Sequence, residues 1–255
     1  MESTPGNLLL PQPFHPAAEA PRQDKQMKIK VCGVSGETAE SDIELLGRAG
    51  VDAVGLWHGV PGGDADLSRA KLVRYAAMAR ANEVEPVIVT FESDAAALAH
   101  AVNDSGAKWV QLHAYQLPMV VQELKASVRR LGVKVVKVLH VRGRRCVDVR
   151  LVAAYERAGV DAFLLDVATP DGRVGSTGES IAPDVAVGVA DHLSRPFYLA
   201  GGISATGSGT YEELARHPGF AGIDVHTGAR DAAGRLRARR IGAIDRAWRG
   251  AVRVQ

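Results

Sequence analysis

Cysteine is scarce in this chain of 255 residues, which contains only Cys32 and Cys146. Two cysteines do not make the disulfide framework of a small secreted domain, and the sequence therefore favours a reducing, cytoplasmic location. Long apolar runs are also absent, since none approaches the roughly 18 residues of a transmembrane helix. The run Leu8–Leu10 is too short for a signal-peptide core of about 7–15 apolar residues.

The chain also lacks a large excess of charge of either sign, because the formal net charge is only +2 at pH 7. This balance implies no general attraction to nucleic acid or to an anionic membrane. Arginines are frequent between Arg230 and Arg249, but Asp231 and Asp245 interrupt them and no aromatic platform accompanies them. We interpret this stretch as a solvated helix face with one or two phosphate contacts.

The first 26 residues differ in composition from the rest of the chain. They carry five of the twelve prolines and no strand-like run. We expect residues 1–26 to form a flexible N-terminal extension. Residues 27–255 keep an even rhythm of strands without a polar linker, which predicts one catalytic domain.

The chain does contain a recurring sequence motif, a glycine followed by a predicted apolar strand. The motif begins at Gly50, Gly106, Gly159 and Gly219, and the intervals fit two strand-plus-helix units per repeat. Further β-branched runs supply the four intervening strands; they are Lys28–Cys32, Val84–Thr90, Val133–Leu139 and Pro196–Ala200. Eight strands alternating with alanine-rich helical stretches predict a single (βα)8 TIM barrel of the α/β class.

Barrel enzymes carry their chemistry at the C-terminal ends of the strands, and they hold phosphate with the loops after strands seven and eight. Both of these predicted loops begin with small residues, Gly201-Gly202 and Thr227-Gly228. Small residues let backbone N–H groups approach an anion closely. We therefore predict that Gly201, Gly202, Thr227 and Gly228 bind a phosphate group.

Two ionisable residues end predicted strands. Asp166 follows the apolar run Leu164-Leu165, whose apolar wall would favour a protonated carboxyl able to act as a general acid. The alternative is a structural role, in which Asp166 caps the following loop. Cys32 ends the first strand and could act as a base when ionised, although a lone cysteine is more often a small buried residue.

Five short motifs lie at predicted strand ends: KVCGVS at 30–35, VQLH at 110–113, AFLLD at 162–166, LAGGI at 199–203 and IDVHTG at 223–228. Together and in this order they resemble phosphoribosylanthranilate isomerase of tryptophan biosynthesis. The resemblance covers about residues 27–250. It implies an isomerase of the aldose-ketose type, an intramolecular oxidoreductase.

The resemblance also implies a mechanism without a cofactor. An N-(5-phosphoribosyl) arylamine would undergo an Amadori rearrangement to the 1-deoxyribulose 5-phosphate. Cys32 would be the general base and Asp166 the general acid. The partner would be this small phosphosugar N-glycoside, with no nucleic acid or membrane, and the protein would be a monomer or a homodimer.

The chain departs from the family around the substrate. After strand two the family carries an arginine that holds the anthranilate carboxylate, whereas residues 59–67 contain two aspartates and no arginine. We expect Arg69 or Arg142 to take its place. The remaining residues that we expect to line the substrate pocket are His58, His113, Gly175, Ser176, Thr177 and His226. A related Amadori isomerase acting on a different N-glycoside, in secondary metabolism, stays an open alternative.

Two alternative functions, from other classes of protein, also stay open. Histidines end four predicted strands, as in metal-dependent barrel hydrolases, but the first strand has no His-x-His pair, so we predict no metal site. A binding protein without catalysis would explain the altered loops but not the presence of both Cys32 and Asp166.

The sequence predicts that Cys32→Ala and Asp166→Asn each abolish turnover of phosphoribosylanthranilate while the protein stays folded. The reason is that ring opening and proton abstraction need one acid and one base. Turnover rates and circular dichroism of the purified variants provide the test. A fully active Cys32→Ala variant would contradict the mechanism.

Overall fold

The computed structural model describes residues 27–168 and 179–253. Eight parallel strands form its centre: β1 Lys28–Cys32, β2 Ala53–Trp57, β3 Glu85–Thr90, β4 Trp109–Leu112, β5 Lys134–Arg142, β6 Ala162–Val167, β7 Phe197–Leu199 and β8 Phe220–Val225. Each strand pairs with the next along the chain, and β8 pairs with β1. The sheet is therefore closed, which confirms the predicted (βα)8 barrel.

Helices connect the strands on the outside of the barrel. They are α1 Ala39–Arg48, α2 Arg69–Ala81, α3 Ala95–Ser105, α4 Pro118–Ser127, α5 Val152–Arg157, α6 Pro183–Ala190, α7 Glu212–Ala215 and α8 Ala238–Arg253. Within the described ranges, none of these helices has the length and apolar character that crossing a bilayer requires.

The stretches after β4 and after β5 are irregular. The helix after β4 ends at Ser127 and continues only as the 3-10 turn Arg129–Leu131. The strand β5 extends to Arg142 and pairs with the antiparallel strand Arg145–Cys146. This hairpin delays the start of α5.

Both faces of the sheet are covered. Every residue of β6 and of β8 is buried, as expected for parallel strands packed on each side. The larger core lies between the strands and the helices, and it includes the fully buried Trp248 of α8. Smaller apolar clusters fill part of the barrel interior.

The barrel interior also contains charged and polar side chains. Lys30 of β1, Gln111 of β4 and Asp224 of β8 are all buried. Below them, a cavity of about 270 Å³ opens at the strand starts, between residues such as Lys28 and Glu85. It lies at the end of the barrel that serves stability rather than chemistry in this fold.

Asp52 joins three parts of the barrel at the strand starts. Its carboxylate accepts hydrogen bonds from the Ile29 N–H at 2.8 Å and from Lys28 and Arg249, both at 2.9 Å. Arg249 of α8 also donates to the carbonyl of Met27 at 2.9 Å. The last helix is thereby fixed to the first strand, which helps to close the barrel.

We expect Asp52→Ala to lower the free energy of unfolding by about 3–6 kcal/mol, because the contacts to the Ile29 N–H and Arg249 each contribute about 1.5–3 kcal/mol and the exposed Lys28 adds little. The matched control is Glu44→Ala, whose exposed ion pair with Arg48 should contribute less than about 1 kcal/mol. Urea denaturation measures both. Equal losses in the two variants would contradict this role of Asp52.

Candidate active site

A pocket of about 50 Å³ lies at the C-terminal ends of the strands. Its lining includes Cys32, Gln111, His113, Asp166, Asp224 and His226. These residues come from β1, β4, β6 and β8 or from the positions directly after them, so the closed sheet brings together side chains that are far apart in sequence. The predicted acid and base thus share one pocket.

Cys32 is buried at the end of β1. A Cβ atom placed on Gly55 of β2 would lie 2.2 Å from the Cys32 Sγ, so only glycine leaves room for this thiol. Burial raises the pKa of Cys32 to about 12; the Asp224 carboxylate raises it as well, and Lys30 opposes the rise. The thiol is therefore protonated at neutral pH in the unliganded pocket.

Lys30 lies two residues before Cys32, on the same face of β1. Its Nζ pairs with Asp224 Oδ2 at 2.6 Å and lies 3.1 Å from the Cys32 Sγ. Burial by itself would lower the pKa of Lys30, but the Asp224 carboxylate raises it above its ordinary value. Lys30 is therefore a buried cation in contact with the thiol.

Asp166 is the penultimate residue of β6 and is 6% exposed. Its Oδ1 accepts a hydrogen bond from the N–H of Val167 at 2.8 Å. Its Oδ2 lies 3.3 Å from the His113 Nε2, a contact that is too poorly aligned to be a hydrogen bond. Such contacts in unliganded sites often tighten when substrate binds.

The side chain of His140 contacts the backbone carbonyl of His113. The His140 Nε2 lies 2.9 Å from the His113 carbonyl, and its Nδ1 lies 3.0 Å from Asp148 Oδ2. The Asp148 carboxylate and the His113 carbonyl are both acceptors, so these two contacts fix the orientation of the His140 ring. Burial tends to raise the pKa of Asp148, but hydrogen bonds from His140 bring it below its ordinary value.

His226 forms the opposite side of the pocket mouth. Its ring stacks on Trp57, with ring centroids 5.6 Å apart. Burial lowers the pKa of His226, and the nearby Arg230 lowers it further. The Arg230 guanidinium donates to the carbonyls of Cys32 and Gly33 at 2.8 Å, so it braces the end of β1.

The predicted phosphate-binding residues lie close together. Gly201, Gly202 and Thr227 line the pocket. Gly228 does not line it, but a Cβ atom there would lie 2.0 Å from the Ile203 carbonyl oxygen. A side chain at Gly228 would therefore push the β7 and β8 loops apart.

Several residues that the sequence suggested for the pocket lie elsewhere. Arg69 pairs with Asp104 on the exposed face between α2 and α3, and Arg142 is exposed on the β5 hairpin. Neither lines the pocket, and neither does His58, whose Nδ1 contacts the carbonyl of Leu67 at 2.8 Å. Gly175, Ser176 and Thr177 lie outside the described residues.

Lys30, Gln111 and Asp224 are not among the site residues that the sequence predicts. All three lie inside the recognised motifs, each two residues before a residue that was named: Cys32, His113 or His226. Side chains two apart on a strand share a face, which was the available signal. No three metal-ligating side chains come together in residues 27–168 and 179–253.

Comparison with known proteins gives a consistent result. A sequence model of the family N-(5'phosphoribosyl)anthranilate (PRA) isomerase matches residues 61–236. The N-(5'-phosphoribosyl)anthranilate isomerase of Rhodopseudomonas palustris is 30% identical over 229 residues, which is 89% of this chain and 98% of the relative. N-(5'-phosphoribosyl)anthranilate isomerase 2 of Methanosarcina mazei is 29% identical over 82% of this chain and 88% of its own length.

Solved structures resemble the barrel as a whole. The N-(5'-phosphoribosyl)anthranilate isomerase from Pyrococcus furiosus has a TM-score of 0.66 at 21% identity and covers 88% of this chain and 99% of its own. A 3-hexulose-6-phosphate synthase from Salmonella typhimurium has a TM-score of 0.67 at 16% identity, with coverage of 88% and 100%. The structural similarity therefore establishes the fold, whereas the sequence matches assign the chain to the family.

We expect Gly55→Ala to lower turnover of phosphoribosylanthranilate by about 100-fold, because the new methyl group would displace the Cys32 side chain. Stability should fall by only about 1–3 kcal/mol, the usual cost of overpacking. Gly188→Ala is the matched control, since a Cβ atom at Gly188 meets nothing within 4 Å. Steady-state kinetics and thermal unfolding measure both; full activity in Gly55→Ala would contradict the close packing.

Proposed function

The chain belongs to the phosphoribosylanthranilate isomerase family, and from this premise we propose that it performs the Amadori rearrangement of N-(5'-phosphoribosyl)anthranilate in tryptophan biosynthesis. The enzyme is an aldose-ketose isomerase, and its product is the 1-deoxyribulose 5-phosphate. The observation that carries the proposal is the placement of one thiol, Cys32, and one carboxyl, Asp166, around a single strand-end pocket.

In the proposed mechanism Asp166 is the general acid. Its proton passes to the furanose ring oxygen, the bond between that oxygen and C1 breaks, and the nitrogen lone pair forms the C1 iminium. The carboxylate left behind is stabilised by the Val167 N–H, which already donates to Oδ1 at 2.8 Å. A fixed donor of this kind needs no reorganisation during the reaction.

Cys32 is the proposed general base. As a thiolate it removes the proton from C2, and the electrons of the broken C–H bond convert the iminium to an enolamine. The enolamine then tautomerises to the ketose, losing the hydroxyl proton at C2 and gaining a proton at C1. The Lys30 ammonium, 3.1 Å from the Sγ, favours the thiolate that this step requires.

The phosphate of the substrate is proposed to bind between the loops after β7 and β8. Gly201 and Gly202 line the pocket on one side and Thr227 on the other. Their backbone N–H groups can approach an anion without obstruction by large side chains. With the phosphate bound at this position, C1 and C2 of the sugar face Cys32 and Asp166.

No described arginine occupies the place that the family uses for the anthranilate carboxylate. Arg230 contacts the Cys32 carbonyl, and its guanidinium is committed to backbone carbonyls. We propose that residues outside the pocket lining described above bind the carboxylate. We further propose that the protein is cytoplasmic and either a monomer or a homodimer; a relative from Thermotoga maritima is described as dimeric.

We expect the purified protein to consume phosphoribosylanthranilate generated in situ, followed as loss of its fluorescence. Cys32→Ala should reduce the rate by at least about 100-fold, the usual lower bound for losing a general base. Cys146→Ala is the matched control and should keep the wild-type rate, because Cys146 lies on the β5 hairpin. A well-folded protein without turnover would contradict the proposed substrate.

A further inference from the structure

A continuous path of polar contacts runs through the barrel interior from Cys32 to Asp166. It begins at the Cys32 Sγ, 3.1 Å from the Lys30 Nζ, and passes to Gln111 Oε1, 2.6 Å from the same nitrogen. The other end of the Gln111 amide, Nε2, lies 3.1 Å from the His113 Nδ1. The His113 Nε2 then faces Asp166 Oδ2 at 3.3 Å.

The charge of Lys30 fixes the direction of this path. An ammonium group has three donors and no acceptor, and Lys30 directs them to Cys32, Gln111 and Asp224. The Gln111 oxygen must therefore face Lys30, which leaves the amide N–H groups toward His113. The His113 Nδ1 then has to be an acceptor, and the single ring proton lies on Nε2.

We propose that Lys30, Gln111 and His113 are positioning residues that hold the ring proton of His113 on Nε2, facing the carboxyl of Asp166. The inference rests on the proposed function, in which Asp166 is the general acid. None of the three residues needs to touch a reacting atom for this role. Lys30 acts on the acid through Gln111, while it faces the base Cys32 directly.

The position of this proton matters for the chemistry of Asp166. With its proton on Nε2, His113 presents only a donor to the carboxyl and cannot take the acid proton. The other tautomer would present a lone pair 3.3 Å from Oδ2, and once this contact tightens on substrate binding it would accept the proton that the furanose oxygen needs. The Gln111 contact therefore keeps Asp166 available as a proton donor to substrate.

Gln111→Glu tests the proposal with almost no change in shape. The carboxylate keeps the contact with Lys30 but places an acceptor against the His113 Nδ1, which draws a proton to that nitrogen. We expect kcat to fall by about 100-fold, the lower range for losing general acid catalysis, with KM changed less than about threefold. Gln122→Glu, on the exposed face of α4, makes the same charge change and should keep wild-type kinetics.

The direct readout is the imidazole nitrogen spectrum of the ¹⁵N-labelled wild-type protein near pH 7. The signals of His113 are assigned by their absence in His113→Asn. We expect Nδ1 to be unprotonated and Nε2 protonated in the wild type, and Nδ1 to be protonated in Gln111→Glu. A purely structural role for Gln111 would not move the ring proton.

Two results would overturn the proposal: a protonated Nδ1 in the wild-type protein, or wild-type kinetics in Gln111→Glu. The wild-type spectrum decides the question even when Gln111→Glu does not fold. It is also independent of turnover, so it separates this inference from the function. An inactive wild type with the expected spectrum would contradict the function alone, whereas an active one with Nδ1 protonated would contradict the inference alone.

Discussion

The proposed chemistry of this barrel depends on one buried charge, the ammonium group of Lys30. Burying an ion costs several kcal/mol unless its hydrogen bonds are satisfied and a countercharge is close. Asp224, at 2.6 Å, supplies the countercharge, and Gln111 and Cys32 take the remaining two donors. The parallel register of β1 and β8 places Lys30 directly beside Asp224, so closure of the barrel creates the ion pair.

Lys30 and Asp224 have opposite effects on the Cys32 thiol. Lys30 favours the thiolate, but burial and the Asp224 carboxylate outweigh it and raise the pKa of Cys32 to about 12. The thiol is therefore protonated in the unliganded pocket, which disfavours its alkylation and oxidation. In the proposed mechanism, proton abstraction draws on the small ionised fraction of Cys32, and the balance between Lys30 and Asp224 sets the size of that fraction.

The sequence was sufficient to predict the architecture and to place Cys32 and Asp166 at the same end of the barrel. The recurring glycine-strand motif predicted eight strands, and the strand ends at Cys32 and Asp166 do meet at one pocket. Contacts that depend on how neighbouring helices or strands pack were not predictable in the same way. The pairing of Arg69 with Asp104 depends on how α2 packs beside α3, and the contact between His140 and the His113 carbonyl depends on the β4–β5 register. Neither leaves a periodic signal in the chain.

The ionisation of Cys32 with and without the Asp224 charge is the most direct test of this account. Thiolate absorbance in the ultraviolet, followed from pH 8 upward in a Cys146→Ser background and referenced to Cys32→Ala, reports the pKa of Cys32. The account predicts a pKa near 12 with Asp224 present, and a lower pKa in Asp224→Asn because the Lys30 charge then acts on the thiol without opposition. An unchanged or higher pKa in Asp224→Asn would contradict the shared role of Lys30.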